Sequence, residues 1–428
     1  MRKNGFISLM ISLMLILLVL QVFGTGPARQ WTHFRGSDLN GMTAETGFPV
    51  EWEHEKNIAW RTEIPGKGWS SPVVYGDQIW VTTAPAEGGP MDAVCLDFHT
   101  GEIIHMIRIV EPDSIYRIHD VNSYATPTAA IEEGFVYIHF GKYGTACIDT
   151  SGGEIVWFRD DLRCAHIQGP GSSVFIHNEK LIIHMEGVDV RWIYALDKRS
   201  GEIIWQTHRA EEPYEKLAPI GKKAYTTPIV IEVNGRELLI SNGAAVCNAY
   251  DVETGEEIWS YVRGEDSTMA MPVESEGIVY FYTSFFTPEE GGRHCELVAV
   301  DPGGIGDIEH THVLWRVPSP SFQLLTPVVK DGLLYTIDAR GTLLCLDAKT
   351  GETVWSELLR ARYNSSPIYA DGLIYFNSVR GETLVIREGR TYDPVAENQV
   401  KGEIWATPAF VDGAILLRTS EYLYKIRE

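Results

Sequence analysis

The string CLDAKTGETVW, residues 345 to 355, recurs as CLDFHTGEIIH from 95, CIDTSGGEIVW from 147, ALDKRSGEIIW from 195 and AYDVETGEEIW from 249. Self-similarity of this kind restricts a chain to few architectures, because each unit leaves an apolar face that only its neighbours can cover. The copies define units of about 40 to 58 residues, the period of β-propeller blades. Each unit opens with two small residues and usually a Pro: SSP ending at Pro72, ATP at Pro127, SSV at Val174, TTP at Pro228, AMP at Pro272, LTP at Pro327, SSP at Pro367 and ATP at Pro408. Short β-rich runs separated by Gly or Asp turns follow every opening, four to a unit. Eight openings therefore predict an all-β, eight-bladed propeller of four-stranded antiparallel blades.

The repeated string reads as scaffold. The carboxylates of Asp97, Asp149, Asp197, Asp251, Asp301 and Asp347 are placed to accept backbone N–H groups of the following turn. Gly101, Gly153, Gly201, Gly255 and Gly351 supply the positive φ that closes it. Trp157, Trp205, Trp259, Trp315 and Trp355 then lie on the outer strand, positioned to wedge against the next blade, with His105 in that place in the first copy. The Asp-to-Trp distance is eight residues in four copies but 14 from Asp301 to Trp315, so GDIEHTH lengthens one hairpin. In the seventh unit Arg387 replaces the Asp and no Trp follows at the usual spacing. The last unit, ending EYLYKIRE, lacks a fourth strand, whereas NIAWRTEI near the start has a strand and Trp60 but no partners. That N-terminal strand is expected to complete the eighth blade and remove the open edge.

Cys95, Cys147 and Cys345 each precede the repeated Asp by two residues, where other copies carry Ala195, Ala249 and Ala299. A position that accepts Cys or Ala is a small buried slot. Cys164, Cys247 and Cys295 fit no such frame, which leaves a disulfide among them open. The N-terminus has Arg2 and Lys3, an apolar run of 17 residues from Phe6 to Val22, and small residues near Gly24. Residues 1–24 therefore read as an export signal or an uncleaved anchor, 25–56 as an extension and 57–428 as one propeller. The expected location is the periplasm or cell envelope, and the anchor would be the one membrane contact. A formal charge of -22 without a basic run excludes the electrostatics of nucleic-acid binding.

The repeats resemble the pyrroloquinoline-quinone (PQQ)-like propeller superfamily, with D-x-x-T-G-x-x-x-W similar to its tryptophan-docking motif, over roughly residues 31 to 428. That superfamily includes quinoprotein alcohol dehydrogenases and the BamB-like assembly factors of the bacterial outer membrane, so the resemblance implies either an enzyme or a scaffold. WTHFRGSDLNG followed by NIAWRTEIPGKGWSSPVV looks most like exported PQQ-like repeat proteins. The dehydrogenases carry an adjacent Cys-Cys pair beside the cofactor and calcium ligands on Glu, Asn and Asp. This sequence has no Cys-Cys, and those ligands match no motif in it. It also has no Cys directly after the apolar run to carry a BamB-type lipid.

The reading is therefore a non-catalytic exported scaffold, BamB-like and monomeric, that binds a protein or envelope component with no cofactor, no catalytic residue and no metal site. The alternatives are a quinoprotein-like oxidoreductase using PQQ with calcium, and a propeller that binds a polar ligand or polysaccharide in its funnel. A site belongs where the loops leading into the innermost strands gather. Those loops place His119, Asp120, Asn122, Tyr124, His166, Gln168, Lys223, Gln323, Arg362, Asn364 and Trp405 near the mouth. Trp69, Tyr124, Tyr363 and Trp405 are candidate stacking surfaces. His310 and His312 would share one strand face, but two imidazoles without a third ligand make a weak zinc site.

Overall fold

The computed structural model describes residues 29–53, 55–287, 292–319 and 324–428. The expected signal segment and Gln323 lie outside the described residues. Eight antiparallel blades form a ring, spanning 73–110, 130–159, 175–208, 229–262, 273–319, 328–358, 368–399 and 409–426. The eighth is completed by Ile58–Glu63, which pairs antiparallel with Tyr422–Ile426, so the ring closes as the sequence predicts.

The docking motif works through one repeated contact. Asp197 Oδ1 accepts the N–H groups of Arg199 at 3.0 Å and Ser200 at 2.7 Å, which shapes the turn. The indole of Trp157 in the preceding blade donates to the carbonyl of Lys198 at 3.0 Å, one residue beyond that Asp. Trp205 donates likewise to Val252, Trp259 to Pro302 and Trp315 to Ala348. Trp60, on the N-terminal strand, does the same to Phe98 across the closure. Gly255 shows why the turn needs glycine: its φ is +71°, and a Cβ there would come within 2.6 Å of the Trp205 ring. The Cys/Ala slot is explained by the same geometry. Cys345 stands directly across from Trp355 and Ala195 from Trp205, and a β-bulge follows in both pairs, so only a small side chain fits beneath the indole. All six cysteines are buried and none is joined to another by a disulfide.

Two regions depart from the repeat. In the second blade the innermost strand starts at Ala130, so Thr128, rather than Thr126 of the ATP at Pro127, occupies the opening position. The lengthened hairpin of the fifth blade lays Gly306–Asp307 parallel against Trp259 and Ser260, adding a strand to the outer edge of the fourth.

The N-terminal extension is built into the ring. Gln30–Trp31 pairs with the innermost strand of blade one, and Met42–Thr43 with that of blade seven. Between them the chain crosses the central channel, where the inner strands present unpaired backbone groups. Thr32 accepts the N–H of Ile131, and His33 Nε2 accepts that of Ile176. Arg35, fully buried, donates to the carbonyls of Asn40, Thr326, Pro327 and Pro367. Burial lowers its pKa to about 9, so the guanidinium remains charged at neutral pH and the carbonyl dipoles solvate it.

Further along, Trp52 fills a gap. In blade seven Ala396 stands where blades two to six have the docking Trp, across from Val385. The Trp52 ring stacks on Tyr375 at 6.5 Å, as Trp355 lies over Tyr335 at 6.0 Å and Trp315 over Tyr280 at 5.8 Å. Asn398 of blade seven holds the strap by accepting the Trp52 backbone N–H at 2.8 Å and donating to the Val50 carbonyl at 2.9 Å. Blade seven therefore receives its wedge from the extension, and the departure at Arg387 does not leave it loose. The Gly389 carbonyl of that blade still accepts the Trp355 indole at 3.1 Å.

Candidate functional site

The sequence of each opening decides what lines the channel. A Ser or Thr just before the innermost strand points its hydroxyl at the neighbouring blade, where it can accept a backbone N–H. The N–H groups of Ser71, Thr128 and Ser173 donate to the hydroxyls of Thr128, Ser173 and Thr227 at 2.9 to 3.0 Å. Those of Met271, Thr326 and Ser366 donate to Thr326, Ser366 and Thr407 at 3.1 Å. The result is a necklace of six hydroxyls around the axis, on blades two to four and six to eight; in blade five Met271 stands in the hydroxyl position.

Above this ring the mouth loops enclose a cavity of about 370 Å³. Its floor includes Phe34 from the segment that plugs the channel, and its walls include Trp69, Gln168, Arg362, Asn364 and Trp405. Trp69 and Trp405 stack at 5.1 Å with their planes 15° apart. The Arg362 guanidinium lies 5.1 Å over the Trp405 ring, and Lys67 Nζ lies 4.9 Å from the Trp69 ring. Glu403 accepts the Trp405 indole N–H at 2.9 Å.

The structure divides the predicted mouth residues. His119, Asn122, Gln168, Arg362, Asn364 and Trp405 line the cavity together. Within that set Asn122 is committed to the loops, since its amide donates to the carbonyls of Gln168 and Pro170 and its Oδ1 accepts the Ser123 N–H. Asp120 is exposed beside Arg117 and is not among the residues that line the cavity. Tyr124 is buried, with its hydroxyl donating to the Tyr116 carbonyl, and Tyr363 is buried in the core between blades six and seven. Neither offers a stacking face. His166 sits beneath the wall with its Nε2 2.8 Å from Cys164 Sγ, and burial lowers its pKa to about 4, so it is neutral at physiological pH. Lys223 is buried and donates to the Ile220 carbonyl. What the sequence reading lacked is Phe34, which arrives from the distant extension, together with the hydroxyl necklace. The necklace was visible as a repeated small residue, but nothing local tells a strand opener from a cavity wall.

A second polar cluster lies inside the wall between blades three and four. Glu186 is fully buried, 3.0 Å from both Arg209 Nε and His184 Nε2, and accepts from the Tyr214 hydroxyl and the Ala244 N–H. Burial pushes this carboxyl up, but Arg209, His184 and the Ala244 N–H outweigh it and hold the pKa at about 2. With every partner supplied from within and no opening to the channel, the cluster joins two blades rather than serving a ligand.

The dehydrogenases that the repeats resemble hold a quinone together with calcium. Calcium takes hard oxygen ligands, usually carboxylates. The lining carries no Asp or Glu, and no group of three His, Cys, Asp or Glu that could hold a metal exists among the described residues. His310 and His312 gain no third ligand there. The residues present do not fit the calcium of that pair.

Comparison with known proteins agrees with the architecture. The sequence model of the family described as outer membrane protein assembly factor BamB matches residues 52–207, 189–311 and 303–392. The BamB of Shewanella oneidensis is 21% identical over 334 residues, covering 71% of this chain and 70% of that protein. Among solved structures, BamB from Moraxella catarrhalis superposes with a TM-score of 0.59 at 13% identity, covering 87% of this chain and 97% of that one. Quinohemoprotein alcohol dehydrogenase from Comamonas testosteroni gives 0.64 at 13% identity, covering 92% and 80%. These structural likenesses speak to the fold alone. With matches running from residue 52 to residue 392 of 428, the chain belongs to the family described as outer membrane protein assembly factor BamB, within the PQQ-like β-propellers.

Proposed function

We propose that this protein is an exported propeller scaffold that binds a protein component of the cell envelope, in the manner that the family description names. The observation that carries this reading is an apolar rim on three consecutive blades. The outer strand of blade one exposes Ile103, Ile104 and Met106, that of blade two Ile155, Val156 and Phe158, and that of blade three Ile203 and Ile204. Exposed apolar residues side by side in one strand, repeated on three neighbouring blades of a chain with a net charge of -22, are the kind of surface that marks protein interfaces. The blade-four edge shows how such a rim is covered, because Gly306–Asp307 of the same chain is laid against it as an added strand.

A photo-crosslinking residue at Val156 in intact cells, compared with one at Leu358 on the far rim, tests the reading. An adduct with an outer-membrane assembly protein from Val156 alone, lost in an Ile104→Lys chain, supports it; equal adducts from both rims would reject it. The oxidoreductase alternative has its own check. Calorimetric titration of the folded chain with PQQ and calcium is expected to give no saturable heat, and one-to-one binding would restore that reading.

A further inference from the structure

The hydroxyl necklace leaves its own protons unused. Thr128, Ser173, Thr227, Thr326, Ser366 and Thr407 are each more than nine-tenths buried, each lines the cavity, and each accepts a backbone N–H. None of the six donates to a protein acceptor among the described residues. A buried hydroxyl with an unspent proton is stabilised by any acceptor that enters.

Two further groups in the same wall lack a polar partner. Arg362 is exposed at the mouth and forms no ion pair among the described residues, although the chain carries 58 acidic side chains. The Asn364 Oδ1 is buried without a hydrogen-bond donor. The wall therefore offers many donors, one cation and one lone acceptor. Its complement is an acceptor-rich anion that also carries a donor. The edges of the stacked Trp69 and Trp405, with Phe34 beside them, add apolar surface. A cavity of about 370 Å³ has the size of a small-molecule site and admits one or two sugar rings.

We propose that the funnel binds a sugar acid. The carboxylate pairs with the guanidinium of Arg362, and a ring hydroxyl donates to Asn364 Oδ1. Other ring oxygens accept from the Ser and Thr hydroxyls, and an apolar face of the ring lies against the indole edges and Phe34. A neutral sugar forfeits the ion pair, and a simple aliphatic acid forfeits the remaining contacts. Binding here is separate from the rim and does not depend on the protein-binding reading.

Calorimetric titration at constant ionic strength, with D-galacturonate, its α-1,4-linked dimer and D-galactose as probes, tests the proposal. Saturable binding of at least one acid is expected, with galactose at least tenfold weaker. Arg362→Gln should weaken the acid at least tenfold, consistent with loss of a charge-assisted contact, and leave melting unchanged because the side chain is exposed. Ser366→Ala should weaken it severalfold. Binding of neither acid, equal binding of galactose, or full acid affinity in Arg362→Gln would each overturn the proposal. Crosslinking at Val156 is unaffected in all three cases, so the two readings fail separately.

Discussion

The interface between blades six and seven and the one between seven and eight do the same mechanical job with parts of different origin. In the first, Trp355 stands on the blade's own outer strand, eight residues from Asp347, and donates to Gly389 of the next blade. In the second, the blade's own position is Ala396 and the aromatic wedge is Trp52, held through Asn398 from 346 residues away. The repeat thus defines a place for an indole, and the ring tolerates losing its local supplier when a distant segment fills that place. The same extension plugs the channel with Phe34 and Arg35 and closes blade eight with Ile58–Glu63. One stretch of some thirty residues ties the ring at three places.

The contrast is best broken at Trp52. Trp52→Ala removes a side chain that is 1% exposed and should cost about 3–5 kcal/mol, read as a lowered denaturation midpoint. Trp355→Ala, at a partly exposed position, should cost less. Ala396→Trp in the Trp52→Ala chain should recover part of the loss; no recovery would show that the two positions are not equivalent. A smaller effect is expected at an ordinary interface. Gly255→Ala forces a side chain into a left-handed conformation against Trp205 and should cost about 2 kcal/mol in the same measurement, with no change at the blade-seven strap.

Acid should separate the two regions more gently. His33, in the channel plug, is buried and its pKa is lowered from 6.5 to about 4. Its neutral form is the folded one, so that stabilisation is complete above about pH 6.5 and is lost as pH falls towards 4, with buried His166 contributing in the same window. Glu186, between blades three and four, has its pKa lowered from 4.5 to about 2, so its contribution is complete above pH 4.5 and disappears as pH falls towards 2. Hydrogen exchange at pH 7, 5 and 3 should therefore show residues 29–43 losing protection before residues 184–211. The reverse order would mean that the plug is not the acid-sensitive part.

Much of this was legible from residues close together in the chain. The Asp turns, the Gly at positive φ, the docking Trp and the small slot beneath it are set within eleven residues, and they recur in register, so blade number and ring closure followed from the pattern. The mouth loops were legible in part. Arg362, Asn364 and Trp405 reach the cavity, whereas Tyr124, Tyr363, His166 and Lys223 turn into the protein. A loop sequence shows which side chains are near the mouth, but their direction depends on partners such as the Tyr116 and Ile220 carbonyls.

The sequence by itself determined the repeat, the blade count, the turn chemistry and the use of the N-terminal strand to close the ring, because each rests on hydrogen bonds and packing between near neighbours or on a periodicity that repeats. Only the tertiary structure decided that Trp52 replaces a missing docking residue, that Phe34 floors the funnel and that six opening hydroxyls face one cavity. Those facts depend on contacts between segments far apart in the chain, and an isolated Trp or Phe in an extension carries no local mark of the gap that it will fill.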